Sequence, residues 1–333
     1  MHRSHNHASN AKVALAALHK DKTMAELYKE WRSENMKFGT VETGGVERVA
    51  LLLDEVSGVL LPLEMGDLVA VIQGGSVTLQ AAIATAGSAQ SEHFLLRDVR
   101  VLAPIRRFRR DVLCTGWNYW AHFHEGEGKR EGQDVPRPDA PTFFTKGPDV
   151  VIGPTDNIAF DPAVSTKWDY EAEIAIVIGK TGRSIPRARA MEHVFGYCLA
   201  NDVSQRDLQR RHGGQWLKGK SIDATMPLGP WIVPCEAVNL ANVNLELELN
   251  GRCMQNASAS QMAFGIEELV AELSFGMTLN AGDVVLTGTP SGIGNARVPP
   301  VFLKEGDEMV VRATGLGELR NRMVRTPLAN YSN

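Results

Sequence analysis

The chain has 333 residues, 44% of them hydrophobic and 22% charged, proportions that exclude a disordered, fibrous or heavily charged adaptor protein. Lys and Arg number 35 against 39 Asp and Glu, for a net charge of −4. That balance gives no bulk field for nucleic acid or an anionic membrane, though a local basic pocket for a small anion is compatible with it. Cys114, Cys198, Cys235 and Cys253 lie far apart with no CxxC pair, the usage of reduced, mostly buried thiols. No apolar run approaches the roughly 20 residues of a membrane span, and the apolar patch 13–18 is too short for a secretory core. The expectation is a cytoplasmic protein with neither nucleic-acid nor membrane partners.

Residues 1–35 read as an extension, helical or mobile. Leu27 and Trp31 have helical spacing within 24–31, and His2, His5 and His7 either bind stray metal or belong to a tail. Residues 36–110 read as a small N-terminal domain. Runs 46–53 and 59–63 are β-rich and split by the polar turn 54–58, Gly74 and Gly75 break the next stretch, and 80–86 is weakly helical. Residues 111–326 are β-dominated. Strands are predicted at 111–115, 157–160, 171–178, 197–201, 229–233, 245–250, 283–287 and 308–313, and helices at 186–193, 203–212 and 266–275. Strands at this density with Gly and Pro turns predict a sandwich, roll or barrel, and the lack of βαβα alternation argues against a doubly wound fold.

The run WDYEAEIAIVIG places Glu171 and Glu173 two apart, so a strand puts both carboxylates on one face. Two adjacent charges flanking an apolar strand either share a divalent cation or mark a solvent-exposed edge. Asp202 follows the apolar run 196–201 and adds a third carboxylate at a strand end. An all-oxygen trio favours Mg²⁺, Mn²⁺ or Ca²⁺ over Zn²⁺. Arg206 and Gln209 are i and i+3 on the predicted helix, and Arg206 is i+4 from Asp202. They are either a carboxylate-recognition pair or part of an ordinary surface helix. Lys146 and Lys220 each follow apolar or aromatic residues and could supply positive charge to an anionic intermediate. In GWNYWAHFHE, His122 and Glu125 are one helical turn apart, the spacing at which a carboxylate orients an imidazole for general-base work. His124 makes an HxH, the alternative sign of a zinc hydrolase. The glycine-rich GTPSGIG lacks a P-loop ending. It is expected to bring backbone N–H groups and Thr289 close to a ligand.

These residues resemble the fumarylacetoacetate hydrolase family. The matching stretches are GWNYWAHFHE, PTFFTKGPDVVIGP, DYEAEIAIVIGK, GYCLANDVSQRDLQ, KGKSIDATMPLGPWIV, LNGRCMQ, LNAGDVVLTGTPSGIG and LKEGDEMVV, in family order. The resemblance implies a β-sandwich roll with a small N-terminal α+β domain, a homodimer, and Mg²⁺ or Mn²⁺ held by Glu171, Glu173 and Asp202. It implies catalytic roles for His122, Glu125 and Lys220, and substrate contacts from Lys146, Arg206, Gln209 and Thr289. The implied reaction is hydrolysis of a C–C bond in an acylpyruvate-type 2-oxo acid through a metal-stabilised enolate. The family also contains decarboxylases and isomerases of 2-oxo acids, oxaloacetate or hydroxy-dienedioates, and diketo sugar-acid hydrolases. Segment 126–139 is either an adaptation to a larger or more polar substrate or simply a flexible loop.

Overall fold

The computed structural model describes residues 36–129 and 135–329; the extension 1–35, with its histidines and its 24–31 helix, lies outside them, as does part of segment 126–139. The described chain is β-rich with few helices. A twelve-stranded sheet has the main path Glu92–Leu95, Ser57–Leu60, Val46–Leu52, Lys37–Thr43, Met226–Pro234, Val194–Asn201, Ala172–Ile178, Val284–Leu286, Val112–Gly116, Thr142–Lys146. A five-stranded sheet runs Arg252–Ser258, Asn244–Leu249, Glu308–Ala313, Gly317–Arg325, Ile158–Phe160. The N-terminal strands continue the large sheet, with Phe38 opposite Ile232. Phe38, Leu51 and Ile72 share one core with Val177, Ile232 and Leu286.

The strand Ala172–Ile178 lies between two cores. Its β-branched composition suits a strand covered on both faces. Ile174, Ile176 and Ile178 enter one core, while Ala175 and Val177 enter the other. It pairs antiparallel with Val194–Asn201, with Ala172 opposite Asn201 and Glu173 opposite Ala200. One step further, the Asp202 backbone N–H donates to the Glu171 carbonyl at 2.8 Å. Glu171 and Glu173 have the parity of Ala175 and Val177, and Asp202 has that of Cys198 and Ala200, which lie in the same core. The three acids therefore emerge on one side of the sheet. A register shift between Val177 and Ile178 sits at the opposite end of the strand.

The predicted helix 203–212 starts late. Ser204–Gln205 pairs with Trp168–Asp169, and the helix spans Arg206–Arg211. Asp202 and Arg206 are thus not a helical i, i+4 pair. The 186–193 segment is a 3₁₀ stretch, Arg187–His193, and Ile266–Ser274 is helical as expected. Among the described residues no helix is long and apolar enough to cross a membrane.

Candidate active site

Carboxylate oxygens of Glu171, Glu173 and Asp202 lie within 4.8 Å of one another, and all three side chains are buried. The exposed-edge alternative for the two glutamates therefore falls. Lys220 Nζ donates to Glu171 Oε2 and Asp202 Oδ2, each at 2.7 Å. Arg206 Nη1 meets Glu171 Oε1 at 2.7 Å. Burial opposes the charge on Glu171, but Lys220 and Arg206 outweigh it and hold its carboxyl down at about 2. Glu173 is different: burial, then the Asp202 and Glu171 charges, push its carboxyl well above the ordinary range. Its Oε2 accepts a hydrogen bond from the Gly288 backbone at 2.6 Å. A buried set of three carboxylates, one of them short of positive charge, has the donor chemistry of a hard divalent cation. The trio can hold such an ion. It is the one cluster of metal-ligand type among the described residues, and it contains neither His nor Cys. His124 binds a different carboxylate from His122, with Nδ1 at 2.9 Å from Glu127 Oε1, so the HxH does not form a zinc set here.

The predicted His122–Glu125 pair is formed on the short helix Trp120–Glu125, with Nδ1 and Oε1 2.7 Å apart. Glu125 Oε2 accepts from the Gly292 backbone at 2.7 Å. The glycine-rich loop thus directs its N–H groups to two of the candidate carboxylates, Glu173 and Glu125. Both glycines are required by geometry as well. Gly292 has φ +108°, and a Cβ there would lie 2.2 Å from the Met254 carbonyl; Gly288 has φ +93°. Asn118, in the GWNYWAHFHE motif that carries His122, was not singled out from sequence. It anchors the helix entrance by donating to the carbonyls of Thr287 at 2.8 Å and Phe264 at 3.1 Å.

His122, Glu171, Glu173, Arg206, Gln209, Lys220 and Thr289 all line one cleft. Lys146 does not. It is fully buried and reaches Asp202 Oδ1 and the Val203 carbonyl, so it supports the trio from behind. Thr289 lines the cleft, but its hydroxyl donates to the Ala172 carbonyl at 2.9 Å and accepts from Gln255. Asp169 was missed by sequence reasoning. It is buried, receives Arg206 Nε at 2.8 Å, and accepts the Gly294 and Asn295 backbones at 2.7 and 2.9 Å. It thereby fixes Arg206 and the loop together. The available signal was parity, since Asp169 is two residues before Glu171.

Residues 111–324 match the family model described as fumarylacetoacetate (FAA) hydrolase C-terminal, and the chain belongs to the fumarylacetoacetate hydrolase family. Oxaloacetate tautomerase YisK of Bacillus subtilis (strain 168) is 41% identical over 231 residues, covering 69% of this chain and 75% of that protein. The mitochondrial oxaloacetate tautomerase fahd2 of Xenopus laevis is 42% identical over 250 residues, 74% and 76% of the two chains. Among solved structures, fumarylacetoacetate hydrolase from psychrophilic Exiguobacterium antarcticum is 36% identical with a TM-score of 0.74, over 87% of this chain and 100% of that one. A 2-hydroxyhepta-2,4-diene-1,7-dioate isomerase from Mycobacterium marinum is 29% identical with a TM-score of 0.68, over 88% and 99%.

Proposed function

We propose that the chain is a divalent-metal-dependent tautomerase that interconverts the keto and enol forms of oxaloacetate. The observation that carries this reading is that His122, bonded to Glu125, lines the same cleft as Glu171 and Glu173 of the carboxylate trio, a proton carrier beside a candidate cation site. The two relatives named for this activity support it over the C–C hydrolysis expected from the motifs. A cation held by Glu171, Glu173 and Asp202 would supply Lewis-acid polarisation of the 2-oxo group.

The protein's own residues carry the proton. Glu125 fixes His122 Nδ1, leaving Nε2 to take a proton from C3 of the substrate and return it to the C2 oxygen. One C–H bond breaks and one O–H bond forms, and no water is consumed. Glu125 stabilises the transient imidazolium. Arg206 and Gln209 offer N–H donors to the substrate's C1 carboxylate, and Lys220 offsets negative charge growing on the C2 oxygen.

Following the ultraviolet absorbance of the oxaloacetate enol tests the reading. With Mg²⁺, wild-type protein should accelerate its decay without changing the product mass, and His122→Ala should not. An unaccelerated decay rejects the proposal. Acylpyruvate hydrolysis is the second reading, favoured by the hydrolase among the similar structures; there His122 takes its proton from water. Release of pyruvate and a carboxylic acid from an acylpyruvate would identify it.

A further inference from the structure

Among the described residues, one cation of the cleft has no acid beside it. Arg206 and Lys220 both contact Glu171, so their charges are compensated within the protein. Lys129 also lines the cleft, four residues beyond Glu125. Its ammonium contacts no carboxylate among the described residues; its hydrogen bond goes to the neutral carbonyl of Ala296. Arg210 Nη2 in turn donates to the Lys129 backbone carbonyl at 3.0 Å. Lys129 is therefore tied both to the loop that carries Asn295 and to the helix that carries Arg206.

Spacing gives this charge a meaning. Arg210 is four residues past Arg206 on the helix Arg206–Arg211, about 6 Å along its axis. The cleft thus has an inner pole at the carboxylate trio, where a bound cation would supply the positive charge, and an outer one at Lys129. In a four-carbon 2-oxo diacid, three carbon–carbon bonds of about 1.5 Å separate the two carboxylate carbons, so a molecule held by its first carboxylate at the inner pole has a second left to offer the outer one. A partly enclosed ammonium with only a neutral partner gains a counter-charge when a dianion binds, and gains nothing from a monoanion that stops at the inner pole.

We propose that Lys129 receives the distal carboxylate of the substrate, so that the cleft selects 2-oxo dicarboxylates over 2-oxo monocarboxylates. The inference rests on the reading of the cleft as a 2-oxo acid site, but it does not require turnover. It is tested by calorimetric binding, with Mg²⁺ present, of two compounds that have no C3 hydrogen and cannot enolise: 3,3-dimethyloxaloacetate and 3,3-dimethyl-2-oxobutyrate. They differ only in carrying a carboxylate or a methyl group at the distal position. Wild-type protein should bind the dianion about 10-fold more tightly or better. Lys129→Met should abolish that preference while leaving the monoanion's affinity unchanged, and Lys129→Arg should keep it. Equal loss for both compounds, or no loss for either, overturns the assignment. Wild-type protein that binds neither compound overturns it together with the 2-oxo acid reading. Selective binding of the dianion without oxaloacetate tautomerisation supports the assignment and rejects only the tautomerase.

Discussion

The two halves of the candidate site are built in opposite ways. The carboxylate trio grows from the ends of two adjacent strands deep in the large sheet, with Lys146, Lys220 and Arg206 packed around it. The His122–Glu125 pair sits on a six-residue helix, its side chains 11% and 18% exposed, and it is fastened to the rest of the protein by Gly292 and Asn118. The candidate cation site thus lies where the backbone is overdetermined by pairing and packing. The proposed proton carrier lies on a short element whose position depends on a few hydrogen bonds. Changes to the first half should be felt in folding and metal affinity together, whereas changes to the second should be felt mainly in rate.

The largest effect should come from Asp202→Ala. It leaves Lys146 buried without its carboxylate and takes one partner from Lys220, which should cost about 3–5 kcal/mol of stability. Thermal unfolding should show that loss, and Mg²⁺ should no longer raise the melting temperature. His122→Ala should instead lower kcat by about 10²–10⁴-fold with the metal-induced melting shift intact; a lost shift would mean that the two halves are not separable. Gly292→Ala acts on the fastening of the second half, because its Cβ would collide with the Met254 carbonyl. Turnover should fall about 10-fold while calorimetric Mg²⁺ affinity stays at the wild-type value.

The smallest effect has the opposite sign. The Glu173 carboxyl is raised by burial and by its acidic neighbours, so it favours the folded state at low pH and loses that contribution as pH rises above the ordinary glutamate range. In a chelator at neutral pH, Glu173→Gln should therefore raise the melting temperature by roughly 2 °C or more. Added Mg²⁺ should then help the variant less than the wild type, and a variant less stable than wild type in the chelator would contradict this account.

The core strands were legible because their apolar runs are uninterrupted, as in 174–178. The acids were legible because period-2 spacing put Glu171 and Glu173 on one face. Gly317–Arg325 was missed although Leu319, Asn321 and Met323 alternate inward, because a buried asparagine breaks the apolar pattern. Arg252–Ser258 was missed for its weak β-propensity, yet Asn250 and Gly251, both at positive φ, form the Asn-Gly turn of a hairpin with Asn244–Leu249. Lys146 was visible as a charge following aromatic residues, but whether it faces the cleft or the back of the trio depends on pairing between distant strands. The same holds for Asp169 and Arg206, whose contact spans 37 positions of chain.

The alignment of Ala172 with Asn201 sets a limit on how this enzyme can evolve. The connection from 179 to 193 can lengthen or shorten without disturbing the acids. A single inserted or deleted residue between Glu173 and the register shift at Val177 would turn Glu171 and Glu173 to the opposite side of the sheet, away from Asp202. Lineages descended from this chain should therefore accumulate length differences in their loops and almost none in these two strands.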